Sequence, residues 1–415
     1  AEAALGRGHL EIADAALARL PGELPPPLTI QAELARARLY AAENRAKDAA
    51  QLFAAVEKSG DDYQASRSIY YRVAAGLAAD TMPPKSAIAE LEKLRFRWRG
   101  DALEMKTLRK LSALYFAQKR WREGLHTLRL AALNFPGDDM ARQAQDDMRA
   151  AFVSLFLRGQ ADKIAPVEAL SLFYDNLDQT PIGPDGDEMI RRMADRLVAV
   201  DLLGPASDLL KYQIDKRLDG VARAQVAAKL AAIYLMDRKP QAALDEIRAT
   251  QISTLPDDVG HQRLLIEARA LCDLKHYDDA LDMLAVDKAT DTARLRADIY
   301  WQGGQWAGAA KAAEDALGTR WSDPAPLAEQ DRAEVMRAAV AYSLANDEAS
   351  LDRLRDHFAP KMKAGPDSGA FQVVSARIDA HGIAFRDAAA QVASIDTLQS
   401  LMKDIHAQGA GVRTN

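Results

Sequence analysis

A two-helix unit recurs along this chain, and that recurrence restricts the fold more than any other feature. The clearest copy spans 105–136, MKTLRKLSALYFAQKRWREGLHTLRLAALNFP. Leu108, Leu111, Ser112 and Tyr115 fall on one face of a first helix at helical spacing. A turn follows around 118–120, and Trp121, Gly124, Leu128 and Ala131 line a second helix. Pro136 closes the unit, because proline lacks an N–H and clashes with the preceding turn.

The same order returns elsewhere. Ala231 and Tyr234 precede Ala243 and Ile247, and Ala268 precedes Tyr277, Ala280 and Leu284. Ala297 and Tyr300 lead to Gly304, Trp306, Ala309, Ala313 and Ala316, as Ala37 and Tyr40 lead to Ala49, Phe53 and Val56. A looser copy over 189–214 carries Ala194, Leu197, Leu203, Ala206 and Leu210. One Tyr-x-x-Ala means nothing in an α-protein, but ordered recurrence with turn residues between copies is a repeat signature. The expected fold is all-α: antiparallel helix hairpins, each too small to bury its own apolar faces, stacked into a solenoid. Composition agrees. Aromatics are 6 %, and Ala, Leu, Arg, Asp and Glu dominate, a mixture that loses little freedom in a helix.

Trp121, Gly124, Leu128, Ala131 and Pro136 resemble, in order and spacing, the tetratricopeptide repeat family, with Gly124 standing where that family usually has a first alanine. The resemblance implies a right-handed α-α superhelix with units of roughly 34 residues. It also implies that first helices line a concave surface on which partner segments bind. Carried onto the best copies, that geometry points to Arg38, Arg109, Phe116, Leu235, Arg269, Arg294, Asp298 and Trp301. Arginines beside Trp301 and Phe116 suit an extended peptide with acidic and apolar residues. The plainer alternative is a solvated groove, or one filled by the same protein.

Along the chain, Gly8, Leu10, Ala13, Leu17 and Leu20 read as the turn and second helix of a unit whose first helix is mostly missing. This predicts a piece of a longer array, or a chain from which a targeting segment was removed. A proline-rich break is expected at 21–27, and a further helix pair at 61–100. Residues 140–180 read as helical but match the repeat poorly. TPIGPDGD at 180–187 reads as a loop and a seam. The expected organisation is therefore 1–180 for the N-terminal repeats and 188–358 for the C-terminal repeats. The remainder, 359–415, is expected to form capping helices, with a break at His381-Gly382 and a last helix near 385–405.

The sequence offers no catalytic constellation. The histidines are scattered, and with Cys272 the single cysteine neither a disulfide nor a zinc cluster is expected. No phosphate loop, dinucleotide fingerprint or nucleophile elbow is present, so no enzyme class and no cofactor is indicated. A net charge of −6 argues against nucleic acid as the main partner. No apolar run approaches the roughly 20 residues of a membrane span. Paired aspartates such as Asp61-Asp62 and Asp278-Asp279 fall at turns and helix starts, where capping explains them. One cluster has two readings: Arg95, Arg97, Trp98 and Arg99, which with Phe96 form RFRWRG. It is a second candidate binding patch for anions or peptide. Alternatively, Phe96 and Trp98 pack between repeats and the arginines are solvated or paired.

Several stretches, LEKLRFRWRGDALE, DEMIRRMADRLVAVDLLGPASDLL, LAAIYLMDRKPQAAL and RLRADIYWQGGQW, resemble a bacterial envelope-associated multi-repeat family, over about residues 91–306. That resemblance implies a periplasmic or envelope-associated scaffold and brings no catalytic residues. The expected function is a non-enzymatic protein–protein interaction scaffold, the C-terminal repeat region of a larger envelope protein. The alternatives are a helical accessory domain of a cell-wall-active enzyme and a peptide-binding regulatory sensor domain, and the alternative location is the cytoplasm. The expected partners are other proteins or peptide segments, and oligomeric state is left open.

Overall fold

The computed structural model describes residues 1–134, 139–363 and 365–376, and every regular element among them is helical. The chain divides into two units, residues 1–189 and 190–415. In the first, a short α1 (Glu2–Gly6) leads to α2 (Leu10–Ala18). Then come α3 (Pro26–Ala42) with α4 (Ala46–Ser59), α5 (Asp62–Ala78) with α6 (Pro84–Arg97), and α7 (Ala102–Ala117) with α8 (Trp121–Asn134). α9 (Asp139–Phe156) and α10 (Pro166–Asp175) follow, and α11 (Pro184–Val198) crosses the boundary.

The second unit continues with α12 (Leu203–Lys216), then α13 (Gly220–Met236) with α14 (Pro240–Ala249), and α15 (Asp257–Asp273) with α16 (Tyr277–Leu284). α17 (Thr290–Gln302) pairs with α18 (Trp306–Leu317), α19 (Glu329–Leu344) with α20 (Glu348–Met362), and α21 (Ser368–Val374) ends the described part. First helices also touch the first helix of the next hairpin, as α3 touches α5 and α13 touches α15. This is the all-α array of stacked hairpins that the repeat pattern predicts.

One turn is used again and again. At the end of α3, Asn44 takes a left-handed φ of 61°. The N–H of Arg45 then reaches back to the Tyr40 carbonyl at 2.8 Å, while that of Asn44 bonds Ala41. This six-to-one closure satisfies carbonyls that a helix end would otherwise leave orphaned. Arg120 closes onto Tyr115 at 2.9 Å, Lys239 onto Tyr234 at 2.8 Å and His276 onto Leu271 at 2.9 Å. Gln305 closes onto Tyr300 at 2.8 Å and Asp347 onto Tyr342 at 3.0 Å. The left-handed residue is Lys119, Arg238, Lys275, Gly304 or Asn346 in these copies. The repeated tyrosine therefore stands two residues before the helix end, where its carbonyl accepts the closing bond of the turn.

The fourth residue of the second helix is the other fixed point. Ala206, Ala243, Ala280 and Ala309 are fully buried there and Ala49 nearly so. A small side chain at that place lets the two helices approach closely. At Gly124, a Cβ would lie 2.3 Å from Phe116 Cε1, so the Phe116 ring occupies the space of the missing methyl. Helix starts follow ordinary capping rules. Asp61 accepts from the Gln64 N–H at 2.7 Å, and Asp101 from the Leu103 N–H at 2.8 Å.

Prolines expected to break the chain in fact start helices. Pro26 opens α3 and Pro184 opens α11, so the loop expected across 180–187 shortens to its first residues. The reason is physical: at the first helical position the missing proline N–H is one that has no partner in any case. The poor repeat match of 140–180 also has a visible cause. α9 and α10 are joined through a 3-10 turn at Gln160–Lys163, and aromatic packing adds to that of the buried Ala144 and Ala169. Phe152, Phe156 and Phe173 stack with centroids 4.8–5.4 Å apart. The division between units falls after Met189, inside α11. The expected break at His381-Gly382 and the last helix near 385–405 lie outside the described residues.

A left-handed conformation costs a non-glycine residue about 1 kcal/mol, part of which glycine returns through its freer unfolded chain. Lys275→Gly and Arg238→Gly are therefore each expected to stabilise the fold by about 0.5–1 kcal/mol. Gly304→Val is expected to destabilise it by more than either gains. Urea titrations of the three variants check the signs.

Candidate functional site

The largest concentration of buried charge lies across the first helices of the second unit. Asp298 on α17 sits between two guanidiniums. Arg269 of α15 approaches it at 3.7 Å, and Arg337 of α19 donates directly to its other oxygen. One turn away, Arg294 of α17 reaches Asp331 of α19 at 3.3 Å, and Arg320 reaches the same carboxylate at 3.5 Å. Glu334 completes the cluster, 3.8 Å from the Arg337 guanidinium. Asp298, Asp331, Glu334 and Arg337 are all buried.

Helical spacing explains the convergence. Arg294 and Asp298 are four apart, as are Arg269 and Asp273, which pair at 3.1 Å, so each pair shares one face. Asp331, Glu334 and Arg337 repeat at three-residue steps and line up opposite. Taking two charges out of water is costly, and only close pairing offsets it. Besides Arg294, whose Nε is buried without a hydrogen-bond partner, the exception within the cluster is Glu334. Its Oε2 is buried and has no hydrogen-bond partner, and burial pushes its carboxyl up to about 7, with Asp298 and Asp331 adding to the shift against Arg337 and Arg294.

In the first unit the corresponding face is aromatic as well as charged. Arg109 of α7 reaches Asp147 of α9 at 2.7 Å and Gln143 at 2.6 Å. Arg38 of α3 takes a different partner: its guanidinium lies 3.9 Å over the Tyr71 ring of α5, and among the described residues no carboxylate pairs with it. Tyr70 packs edge-on against Tyr71 at 5.4 Å. Beside Arg38 opens a cavity of about 390 Å³, walled by Leu5, Leu10, Ala41, Tyr71 and Ala75 with Phe53 at its floor. That size falls within the range of small-ligand and side-chain pockets.

The remaining expected residues separate by burial. Leu235 is buried in the core with Ala231, Ala268 and Leu271, and offers no surface to a partner. Phe116 is turned into its own hairpin against Gly124 and stacks with Trp121 at 5.6 Å. Trp301 is half-buried and meets Trp306 edge-on at 5.3 Å. Thus Arg269, Arg294 and Asp298 come together, Arg38 and Arg109 lie in the other unit, and Leu235 and Phe116 are packing residues.

The second candidate patch is occupied by its own neighbours. Arg95 pairs with Glu92 at 2.8 Å and Arg97 with Asp62 at 3.2 Å, while Trp98 lies 4.9 Å from the Tyr63 ring. Arg99 rests over Phe96 at 5.6 Å, and Phe96 is exposed. The structure thus combines paired arginines with a Trp98 stacked between helices.

Sequence reasoning missed Asp331, Glu334 and Arg337, because no single repeat copy contains an ion pair that spans two hairpins. It also missed Tyr70 and Tyr71, whose only signal was an aromatic pair on the inner face of α5. His261, passed over among scattered histidines, is gripped on both ring nitrogens: Asp287 lies 2.9 Å from Nδ1 and Asp291 2.8 Å from Nε2. Partial burial works against its charge, yet Asp291 and Asp287 outweigh that and raise its pKa. Cys272 is buried, and burial pushes its thiol up to about 12, out of the range of a nucleophile at neutral pH. Among the described residues no group of three or more His, Cys, Asp or Glu is placed to hold a metal ion, and no helix is long and apolar enough to cross a membrane.

No family model matches the chain, and no curated protein sequence matches it. Among solved structures, the chain is similar to NprR in complex with its cognate peptide NprX, at 12 % identity and a TM-score of 0.30, covering 75 % of this chain and 92 % of that one. It is also similar to the P58(IPK) TPR domain, at 15 % identity and a TM-score of 0.26, over 91 % of this chain and 99 % of that one. A third is the C-terminal part of a TPR repeat-containing protein from Cytophaga hutchinsonii, at 11 % identity and a TM-score of 0.25, over 70 % and 96 %.

Asp298→Ala strands the Arg337 guanidinium in the interior and is expected to cost about 3–5 kcal/mol, whereas Arg97→Ala, at an exposed pair, is expected to cost under about 1 kcal/mol. Denaturant titration of both variants measures the contrast. His261 has a raised folded pKa, so its contribution to stability is complete below about pH 6.5 and is lost as pH rises through the folded value. A His261→Gln variant should lose that part of the pH dependence, read as denaturation midpoint against pH.

Proposed function

We propose that this chain is a non-enzymatic protein-interaction scaffold that holds an extended peptide segment of a partner on its first-helix faces. The observation that carries this reading is the cavity beside Arg38. It has an apolar floor, a guanidinium fixed by stacking on Tyr71 rather than by an acid, and helix C-terminal ends at its rim. A peptide matches that mixture: an apolar side chain for the floor and an acidic group for Arg38. Arg and Tyr are also the residue types that concentrate binding energy at interfaces. The buried ionic cluster of the second unit serves a different purpose in this reading: it holds successive first helices in register and so keeps a binding face rigid.

Within the same proposal, the chain is the C-terminal repeat region of a larger, periplasmic or envelope-associated bacterial protein that supports assembly of a multiprotein complex. This part rests on the stretches at about 91–306 that resemble an envelope family. Fractionation of cells expressing the natural full-length protein tests it, and recovery in the cytosol alone overturns it.

For the binding face, a random peptide library displayed on phage is panned against the chain. Enriched peptides are expected to be acidic and apolar. They should lose at least about tenfold in affinity for Arg38→Ala or Tyr71→Ala, consistent with a central contact worth over about 1.4 kcal/mol. Peptides that bind both variants as well as the parent chain, or a library that yields none, would overturn the assignment.

A further inference from the structure

Glu334 is the one carboxylate of the second unit's buried cluster that the surrounding cations do not satisfy. Every charged group facing it is already engaged with another partner, although the Arg294 Nε is buried without a hydrogen bond. From α17, Arg294 is held by Asp331 and Asp298 is held by Arg337. From α19 itself, Arg337 is committed to Asp298 and stands 3.8 Å from Glu334 Oε1, beyond hydrogen-bond range, while Asp331 carries a second negative charge one turn away. One layer out, Arg269 of α15 faces Asp298 and Arg320 faces Asp331. On α18 and α20, Glu314 and Arg353 pair with each other and with Tyr342 near the far end of α19, and Asp367 before α21 pairs with Arg332.

The two protonation states of Glu334 therefore differ sharply in cost. Ionised, it places a third carboxylate beside Asp298 and Asp331, with Oε2 buried and unbonded. Desolvation and like-charge repulsion both act against that state. Protonated, it is a neutral group with an O–H to donate, and the remaining charges are matched pair by pair. α17 and α19 are joined across this cluster by the Arg294–Asp331 and Arg337–Asp298 pairs, so the cost of ionisation falls on that junction.

We propose that the second unit carries a proton-operated lock: protonation of Glu334 closes the packing of α17 against α19, and its ionisation loosens it. The firm state of the face formed by α15, α17 and α19 is then the protonated one, and the lock works independently of which partner the face binds. The sign is opposite to that of most carboxylates. A carboxyl whose folded pKa is raised above its unfolded value contributes stability that is complete below the unfolded pKa and is lost as pH rises through the folded one. The change lies between the ordinary 4.5 and about 7. Each pKa unit is tenfold in the folding equilibrium, so the equilibrium constant is expected to fall on the order of ten- to a hundredfold across that window.

The test uses the whole chain and its Glu334→Gln and His261→Gln variants, with denaturant titration and hydrogen exchange of the α17 and α19 peptides between about pH 5 and about pH 8. The parent chain should lose stability and protection as pH rises, after correction for intrinsic exchange. Glu334→Gln, a neutral isostere, should keep α17 and α19 protected throughout and be more stable than the parent at the upper pH. His261→Gln should keep the loss of protection in α17 and α19. A Glu334→Gln variant with the parent's slope, or one less stable than the parent at the upper pH, overturns the proposal. Should that variant fail to fold, infrared spectroscopy of the parent decides. A carboxylic-acid band that persists well above pH 5 and vanishes near pH 7 supports the lock, and its absence above about pH 5 sinks it.

Discussion

Everything in this structure depends on how closely two helices of a hairpin can approach. The small fourth residue of each second helix, Ala49, Gly124, Ala206, Ala243, Ala280 or Ala309, removes the side chain that would hold them apart. The left-handed turn before it sets the angle at which the second helix returns. With both in place, the apolar residues of one hairpin face those of the next, and a core forms by stacking rather than by enclosure. Phe116 shows how tight the arrangement is: where the alanine becomes glycine, a ring fills the gap at once.

Stacking alone leaves the register between hairpins underdetermined, because alanine surfaces slide easily over one another. Charge supplies the missing specification. Arg109 with Asp147 in one unit, and Arg269, Asp298 and Arg337 in the other, link successive first helices at single points. Buried ion pairs rarely add much net stability, but a shifted register would strand each of them unpaired, and that is expensive. The buried Arg263 and the half-buried Arg296 work by a related device. Arg263 donates to the carbonyls of Ile247 and Ala224, and Arg296 to those of Leu284 and Asp287, so first helices also cap the end of the hairpin before them.

Much of this was legible in the residues. Tyr40, Tyr115, Tyr234 and Tyr300 marked the turns because a carbonyl at that place must accept the closing bond, and Ala49 or Ala243 marked the close approach because nothing larger fits. The candidate site was only half legible. Arg269, Arg294 and Asp298 stood out as polar residues on a first helix, but their partners Asp331 and Arg337 lie on another hairpin, and no local pattern joins them. Leu235 was misjudged for a complementary reason: on a helix packed by neighbours on several sides, an apolar residue at a nominal groove position is drawn into the core.

The sequence by itself determined the class of fold, the helix hairpin and the place of each turn, since these follow from side-chain size and backbone conformation within a few consecutive residues. It also determined that aspartate would gather at helix starts, although not that Pro26 and Pro184 would open helices instead of ending them. Only the tertiary structure decided which charges are neutralised and which are not. Arg38 on Tyr71 and Glu334 without a partner at Oε2 are outcomes of which helix lies alongside, and burial and charge pairing are properties of neighbours in space that a linear order of residues does not contain.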